Sequence, residues 1–286
     1  FLIFPTRAMV LLGRTVTVPG AGWGVAGAAV ATAISVVFSG SMMLVKVLQS
    51  KAISPRGMKA QWDRPVMTQC IKVGLPVALQ NLGVFSGQVV FSAQVTSLGK
   101  TALAAHSIAI TAEQAFYIPG FGMEAAASTL CGNALGERDE RKLDRISRTV
   151  LMISVGLMTI SGAILFAFPR ALMSLFTQDA AVIASGAEVL RIVACSEPMY
   201  AALILFEGIY HGVGQTKFPF FVSLATMWGV RVLGTAVCVG TLGLGLRAVW
   251  LCMVADNVAR AVLLGIRYFS GKWKKSLDLK PISTEE

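Results

Sequence analysis

Seven long apolar runs, separated by short connections rich in Lys and Arg, constrain this chain most. They cover residues 24–45, 66–97, 101–135, 146–168, 180–213, 218–239 and 246–266. A helix needs about 20 mostly apolar residues to cross a bilayer, and each run supplies that. No alternation of strand length competes. The chain has 286 residues, of which 14% are charged and 55% hydrophobic. A soluble fold needs nearly twice that share of charge to cover its surface. The composition therefore excludes a soluble domain, a disordered chain and a disulfide-stapled miniature. The expected class is an all-α integral membrane protein with about seven complete transmembrane helices.

The net charge of +10 is explained by where the cations fall. Segments 46–64, 137–148, the turn at Lys217 and the tail from Arg267 carry five, five, one and five Lys/Arg. The alternate connections carry four: Arg14, Lys100, Arg170 and Arg247. Sixteen against four, alternating over seven spans, places the basic segments and the C-terminus in the cytoplasm by the positive-inside rule. The same clustering argues against a nucleic-acid partner, because no basic patch is interleaved with aromatics. The five cysteines (Cys70, Cys131, Cys195, Cys238 and Cys252) lack metal-ligand spacing and read as small buried hydrophobes. The opening run Phe1-Leu2-Ile3-Phe4 reads as the tail of a helix cut by the start of the sequence. Residues 46–65, with Pro55 and Pro65, form the best domain boundary.

Ionisable side chains inside the spans mark functional positions, since burying them in hydrocarbon is costly. Glu113 and Glu197 lie deep, with no evident partner on their own helices. Asp256 and Arg260 stand four apart and can pair along one helix. Arg231 can neutralise a carboxylate on a neighbouring helix. Glu113, Glu197 and Asp256 are thus the candidate ion-coupling residues, with Arg231 and Arg260 as charge partners. Glu207 and His211 read as solvated or capping residues near a helix end. Asn81, Gln88 and Ser92 repeat at seven and four, with Gln80 beside them, and this stripe is expected to face a bundle interior or a wet cavity. Pro119, Gly120 and Gly122 predict a break in the third span. The pairs Gly83/Gly87, Gly132/Gly136 and Gly208/Gly212 predict close helix contacts. No nucleophile elbow, HExxH, P-loop or dinucleotide fingerprint occurs, so an enzyme is not expected.

Several ordered segments together resemble the MATE (multidrug and toxic compound extrusion) transporters. They include Gly74-Leu75-Pro76, then Leu103-Ala104-Ala105-His106-Ser107-Ile108-Ala109, then Tyr117-Ile118-Pro119-Gly120-Phe121-Gly122. Gly132-Asn133-Ala134-Leu135-Gly136, Glu197-Pro198-Met199-Tyr200, Gly212-Val213-Gly214-Gln215-Thr216 and Trp228-Gly229-Val230-Arg231 come after them in order. The resemblance implies a twelve-helix carrier of two six-helix halves. Residues 1–45 would be the remnant of the first half, with the end of its fifth helix and its sixth. Residues 46–65 would be a cytoplasmic linker, 66–269 the six-helix second half, and 270–286 a cytoplasmic tail. It implies export of small amphipathic or cationic compounds across the plasma membrane. Inward sodium or protons would drive it, with no cofactor, membrane lipids as neighbours, and a monomer as the working unit. On the seventh family helix, where some members carry an acid, this chain offers Gln80, Asn81, Val84 and Gln88. A lipid or polysaccharide flippase of the same superfamily is the rival; an intramembrane enzyme or a scaffold stands further off.

Overall fold

The computed structural model describes residues 5–11, 14–50, 62–274 and 277. The chain divides into two units, Phe1–Asp63 and Arg64–Glu286. In the first, strands β1 (Pro5–Leu11) and β2 (Arg14–Ala21) pair antiparallel, Arg7 opposite Val18 and Leu11 opposite Arg14. Thr15-Val16-Thr17-Val18 is a β-branched run that favours the extended backbone over a helix. The helical tail expected at the opening falls on residues 1–4, outside the described residues; from Pro5 onward the backbone is a two-stranded ribbon. Helix α1 (Gly24–Gln49) completes this unit.

The second unit is helical. It comprises α2 (Arg64–Thr96), α3 (Lys100–Gly136), α4 (Glu140–Ala167), α5 (Pro169–Ser174), α6 (Ala180–Ala194) and α7 (Glu197–Gly212). A span over Lys217–Thr241 comes next, made of α8 (Lys217–Thr226), a π-helical turn at Met227–Val232, α9 (Leu233–Ala236) and a second π-turn at Val237–Thr241. Helix α10 (Leu246–Phe269) closes the bundle. Every run expected from the sequence is thus occupied by a helix. By length and apolar character alone, five helices among the described residues can cross a membrane: α1, α2, α4, the Lys217–Thr241 span and α10. Helices α6 and α7 pass together as one span bent by 58°. Helix α3 does not pass that test, because His106, Glu113, Gln114 and Glu124 dilute it, although its 37 residues are more than long enough.

Local chemistry sets the helix ends. The Asp139 carboxylate accepts the Lys142 amide at 2.9 Å and starts α4; Asp179 accepts the Ala181 amide at 2.9 Å and starts α6. Each side chain satisfies an amide the helix cannot. Helix α4 shows what surrounds the bundle. Leu143, Ser147, Val150, Ser154, Met158, Gly162 and Leu165 form its buried stripe. Its outer face shows Met152, Ile153, Ile160 and Ile164, all exposed. A helix apolar on its outer face as well is built for lipid.

The structure corrects two expectations. The break expected at Pro119, Gly120 and Gly122 is absent, since α3 runs through all three as one helix. Adjacent helices brace the position instead: Gly120 leaves room for Ile204 and Met158, whose atoms would lie 3.4 Å from a Cβ there. The interruptions lie at Cys195–Ser196, between α6 and α7, and at the two π-turns. Of the five cysteines, Cys131 is buried, whereas Cys70 and Cys195 are exposed on the apolar exterior.

Small residues do bring helices together, unevenly. A Cβ on Gly208 would lie 2.7 Å from the Glu124 carbonyl oxygen, and one on Gly212 only 2.2 Å from that of Ser128. Here α3 and α7 touch backbone to backbone. Gly83 and Gly87 similarly admit Leu224 and Met227. Gly132 faces the Gly212 carbonyl at 3.1 Å, while Gly136 has nothing within 4 Å.

Candidate functional site

Two apolar cores occupy the two ends of the second unit. One joins Phe91, Ala105, Ala109, Ala112, Leu190 and Trp250. The other joins Ala127, Leu143, Ile209, Tyr210, Leu264 and Trp273. Along α3, α7 and α10 polar side chains gather between these cores, around a small cluster of Tyr117, Met158 and Ala201: Glu113 and Tyr117, Glu197 and Tyr200, Asp256, Asn257 and Arg260. At 1.5 Å per residue, Asp256 lies roughly 15 Å from the start of α10. That is near the middle of a hydrocarbon layer about 30 Å thick.

Of these polar residues, Glu113, Tyr117, Tyr200, Asn257 and Arg260 line a cavity of about 450 Å³ together with Gln88 and Arg231, whereas Glu197 and Asp256 do not line it. Asp256 is fully buried behind it. The Arg231 Nε lies 2.8 Å from Asp256 Oδ2, and Arg260 Nη2 lies 3.2 Å from both Asp256 oxygens. The remaining guanidinium donors are directed outward from this pair. Arg231 Nη1 donates to Gln88 Oε1 at 3.1 Å and Nη2 to Asn257 Oδ1 at 2.8 Å. Arg260 Nε donates to Thr226 Oγ1 at 3.3 Å. The first π-turn carries Arg231, and the wider turn alters which way residues along this span face.

Glu113 is 2% exposed and accepts a hydrogen bond from the Tyr117 hydroxyl. It therefore has a partner on its own helix, one turn on, contrary to the sequence expectation. The Tyr117 ring lies 4.3 Å from that of Tyr200 on α7. Glu197, one turn before Tyr200, is fully buried, and neither of its carboxylate oxygens has a hydrogen-bond partner among the described residues. Gly162 of α4 makes space for it, since a Cβ there would lie 2.9 Å from Glu197 Cβ. Counted as ionised side chains, Glu113, Asp256, Arg231 and Arg260 balance to zero, so one proton or cation at Glu113 turns a neutral set into a net positive one.

The stripe on α2 is displaced from its expected face. Gln80, Gly87, Phe91 and Val95 form the buried side, and Asn81 is exposed. One residue is about 100° of rotation on a helix, enough to exchange Asn81 for Gln80. Of Gln80, Asn81, Gln88 and Ser92, Gln88 alone lines this cavity. Gln80 serves a second polar cluster: its Nε2 donates to Glu207 Oε1 at 3.0 Å, and Ser223 Oγ donates to the same oxygen at 2.8 Å. Glu207, read as a solvated or capping residue, instead links three helices. Tyr117, Tyr200, Asn257 and Thr226 were not singled out from the sequence. The four-residue spacing of Glu113 and Tyr117 was the one available signal. His106 sits edge-on between Phe91 and Trp250, at 5.7 and 5.8 Å, within the apolar core.

The MatE family model matches residues 76–237. The "Probable multidrug resistance protein NorM" of Thermotoga maritima is 28% identical over 254 residues, covering 88% of this chain and 54% of that protein. Its namesake in Brucella suis is 29% identical over 215 residues, covering 72% and 45%. The chain thus spans about half the length of the curated relatives it matches. One solved structure is described as the outward-facing conformation of a multidrug resistance MATE family transporter of the MOP superfamily. It aligns with a TM-score of 0.77 at 22% identity, over 89% of this chain and 58% of that one. A MOP superfamily transporter from Pyrococcus furiosus aligns equally well, with the same TM-score and coverage, and is described as having a binding pocket of reverse polarity that suggests a different function. At that identity these likenesses speak to the fold. With more than half of its residues matched by the family model, and helices that span a membrane several times, this chain belongs to the MatE family of transporters.

Proposed function

We propose that the chain forms the second half of a multidrug efflux carrier, which exports small amphipathic or cationic compounds in exchange for sodium or protons. The observation that carries this reading is the mid-membrane cavity in which Glu113 shares a lining with Arg231 and Arg260. Glu113 is its exchangeable acid, because Asp256 is already engaged by two guanidinium groups. Glu197 is a second acid, fully buried one turn before Tyr200, whose ring meets that of Tyr117. Binding of an ion at Glu113 shifts the balance between inward- and outward-open states, and only its differential affinity for the two can drive transport. In this reading 1–45 belong to the first half, 46–65 link the halves, and 66–269 are the second half.

The test is the full-length carrier in liposomes. An imposed sodium or proton gradient should drive uptake of an organic-cation dye, and collapse of the gradient should stop it. A second reading has one observation in its favour, because both arginines project into the cavity while Asp256 lies behind them. That surface suits an anionic or lipid-linked substrate. Gradient-independent movement of a fluorescent anionic lipid, with no dye uptake, would select it.

The orientation rests on the distribution of charge. Lys274 pairs with Asp144 and lies 3.6 Å from Glu140, and the Gln215 side chain donates to the Trp273 carbonyl. The loop before α4, the turn before α8 and the tail therefore share one end of the bundle, and we assign that end to the cytoplasm of a plasma-membrane protein. Single cysteines at Arg141 and Lys272, in a background without the native five, should resist an impermeant thiol reagent in intact cells. A cysteine at Lys100 should react. The reverse pattern would invert the assignment.

A further inference from the structure

A second hollow, of about 540 Å³, opens at the tail end of the bundle, well away from the polar cavity, between α2, the turn before α8 and α10. Lys72, Lys217 and Arg267 contribute three cations to its wall, and no Asp or Glu lines it. The floor is the backbone of Gly214–Thr216, where Gly214 has φ +76°, a conformation that side chains rarely adopt. Thr216, in its wall, is the N-cap of α8 and makes no side-chain capping bond, so the N-cap side chain does not satisfy the first amides of α8, which lie beside this space. They add partial positive charge to that of the three side chains.

Arg267 is positioned rather than merely nearby. Its guanidinium lies 4.4 Å over the Phe218 ring, and Nη2 donates to Gln215 Oε1 at 3.3 Å. Its Nε is buried with no hydrogen-bond partner. Among the described residues, neither Lys72 nor Lys217 has a carboxylate within ion-pair distance. A built positive site with no counter-charge among the described residues calls for an anion.

The surroundings indicate which anion. Beside the hollow, sharing Phe218 and Arg267 with it, is a smaller depression of about 310 Å³ walled by Leu263 and Ile266. Phe221, on the rim, is 65% exposed, and Ile266 is 63% exposed. Cations at the end of the spans and apolar side chains below them match a molecule with a charged head and a hydrocarbon tail. Basic hollows between spans are known places for anionic lipid headgroups.

We propose that this hollow is a binding site for an anionic phospholipid. The phosphate lies among Lys72, Lys217 and Arg267, and an acyl chain runs along Phe221, Leu263 and Ile266. The proposal does not depend on which compound or ion the carrier moves.

The test uses native mass spectrometry of the full-length carrier released from mixed micelles of phosphatidylglycerol and phosphatidylcholine. The protein should retain phosphatidylglycerol in preference to phosphatidylcholine. Lys72→Gln and Lys217→Gln should each weaken that retention by about fivefold, and the double variant by more than about tenfold. Lys100→Gln, at the other end of the bundle, should change nothing. Size-exclusion profiles verify that each variant is folded. Inorganic phosphate at millimolar concentration should not displace the lipid. Equal retention of the two lipids, or retention by the double variant at the native level, would overturn the proposal. Full displacement by inorganic phosphate would show a free-phosphate site and overturn it too.

Discussion

Replacing Asp256 with Asn is expected to destabilise the protein by about 3–5 kcal/mol, the loss seen when one partner of a buried ion pair is removed. Asp256 is fully buried and lies within 3.2 Å of both Arg231 and Arg260. Asparagine keeps the shape but leaves two largely buried guanidinium groups without the carboxylate between them. The pair's own net worth is smaller, because desolvating three charges offsets most of their attraction. The double variant Asp256→Asn with Arg231→Gln should therefore be more stable than Asp256→Asn alone. Thermal unfolding of detergent-purified protein measures both. A single variant with a native midpoint would mean that Asp256 does not hold the two arginines.

Gly212→Leu should also be damaging, for a different reason. A Cβ at position 212 would stand 2.2 Å from the Ser128 carbonyl oxygen. That oxygen belongs to helical backbone and cannot step aside as a side chain could. Separating α3 from α7 loosens the pairing that brings Tyr117 against Tyr200. Overpacking of this kind costs on the order of 3 kcal/mol, and even Gly212→Ala should lower the folded yield. Gly136→Ala is the control, with nothing within 4 Å of the added carbon. Equal behaviour of the two alanine variants would refute the close contact.

The spans were legible because the bilayer imposes a length, and seven apolar runs met it. The pairing of Asp256 with Arg260 was legible too, since four residues is one turn of the same helix. What the sequence withheld depends on rotation about helix axes. Asn81, Gln88 and Ser92 do share a face, yet α2 turns Gly83 and Gly87 to its neighbours, where Leu224 and Met227 leave room only for small residues, and Gln80 to Glu207 and Ser223. Arg231, expected to neutralise a carboxylate on a neighbouring helix, does so at Asp256; that the carboxylate is Asp256, and that a π-turn carries the arginine, no residue pattern announces. Pro119 suggested a break, but a proline removes a single backbone bond, and neighbouring helices kept α3 continuous. The sharp bend came instead at Cys195–Ser196, directly before Glu197-Pro198. The ribbon of β1 and β2 was missed because its apolar residues were read by hydropathy rather than by their β-branched character.

The central claim is that Glu113 couples the movement of an ion to the movement of drug. It separates most cleanly in liposomes holding the full-length carrier with Glu113→Gln, which keeps the side chain's size and its hydrogen bond with Tyr117 but cannot take up a proton or balance a cation. Exchange of labelled for unlabelled drug, with no ion gradient, should continue at a rate close to native. Drug accumulation driven by a sodium or proton gradient should be abolished. Native gradient-driven accumulation by this variant, with unchanged dependence on pH and sodium, would contradict the assignment.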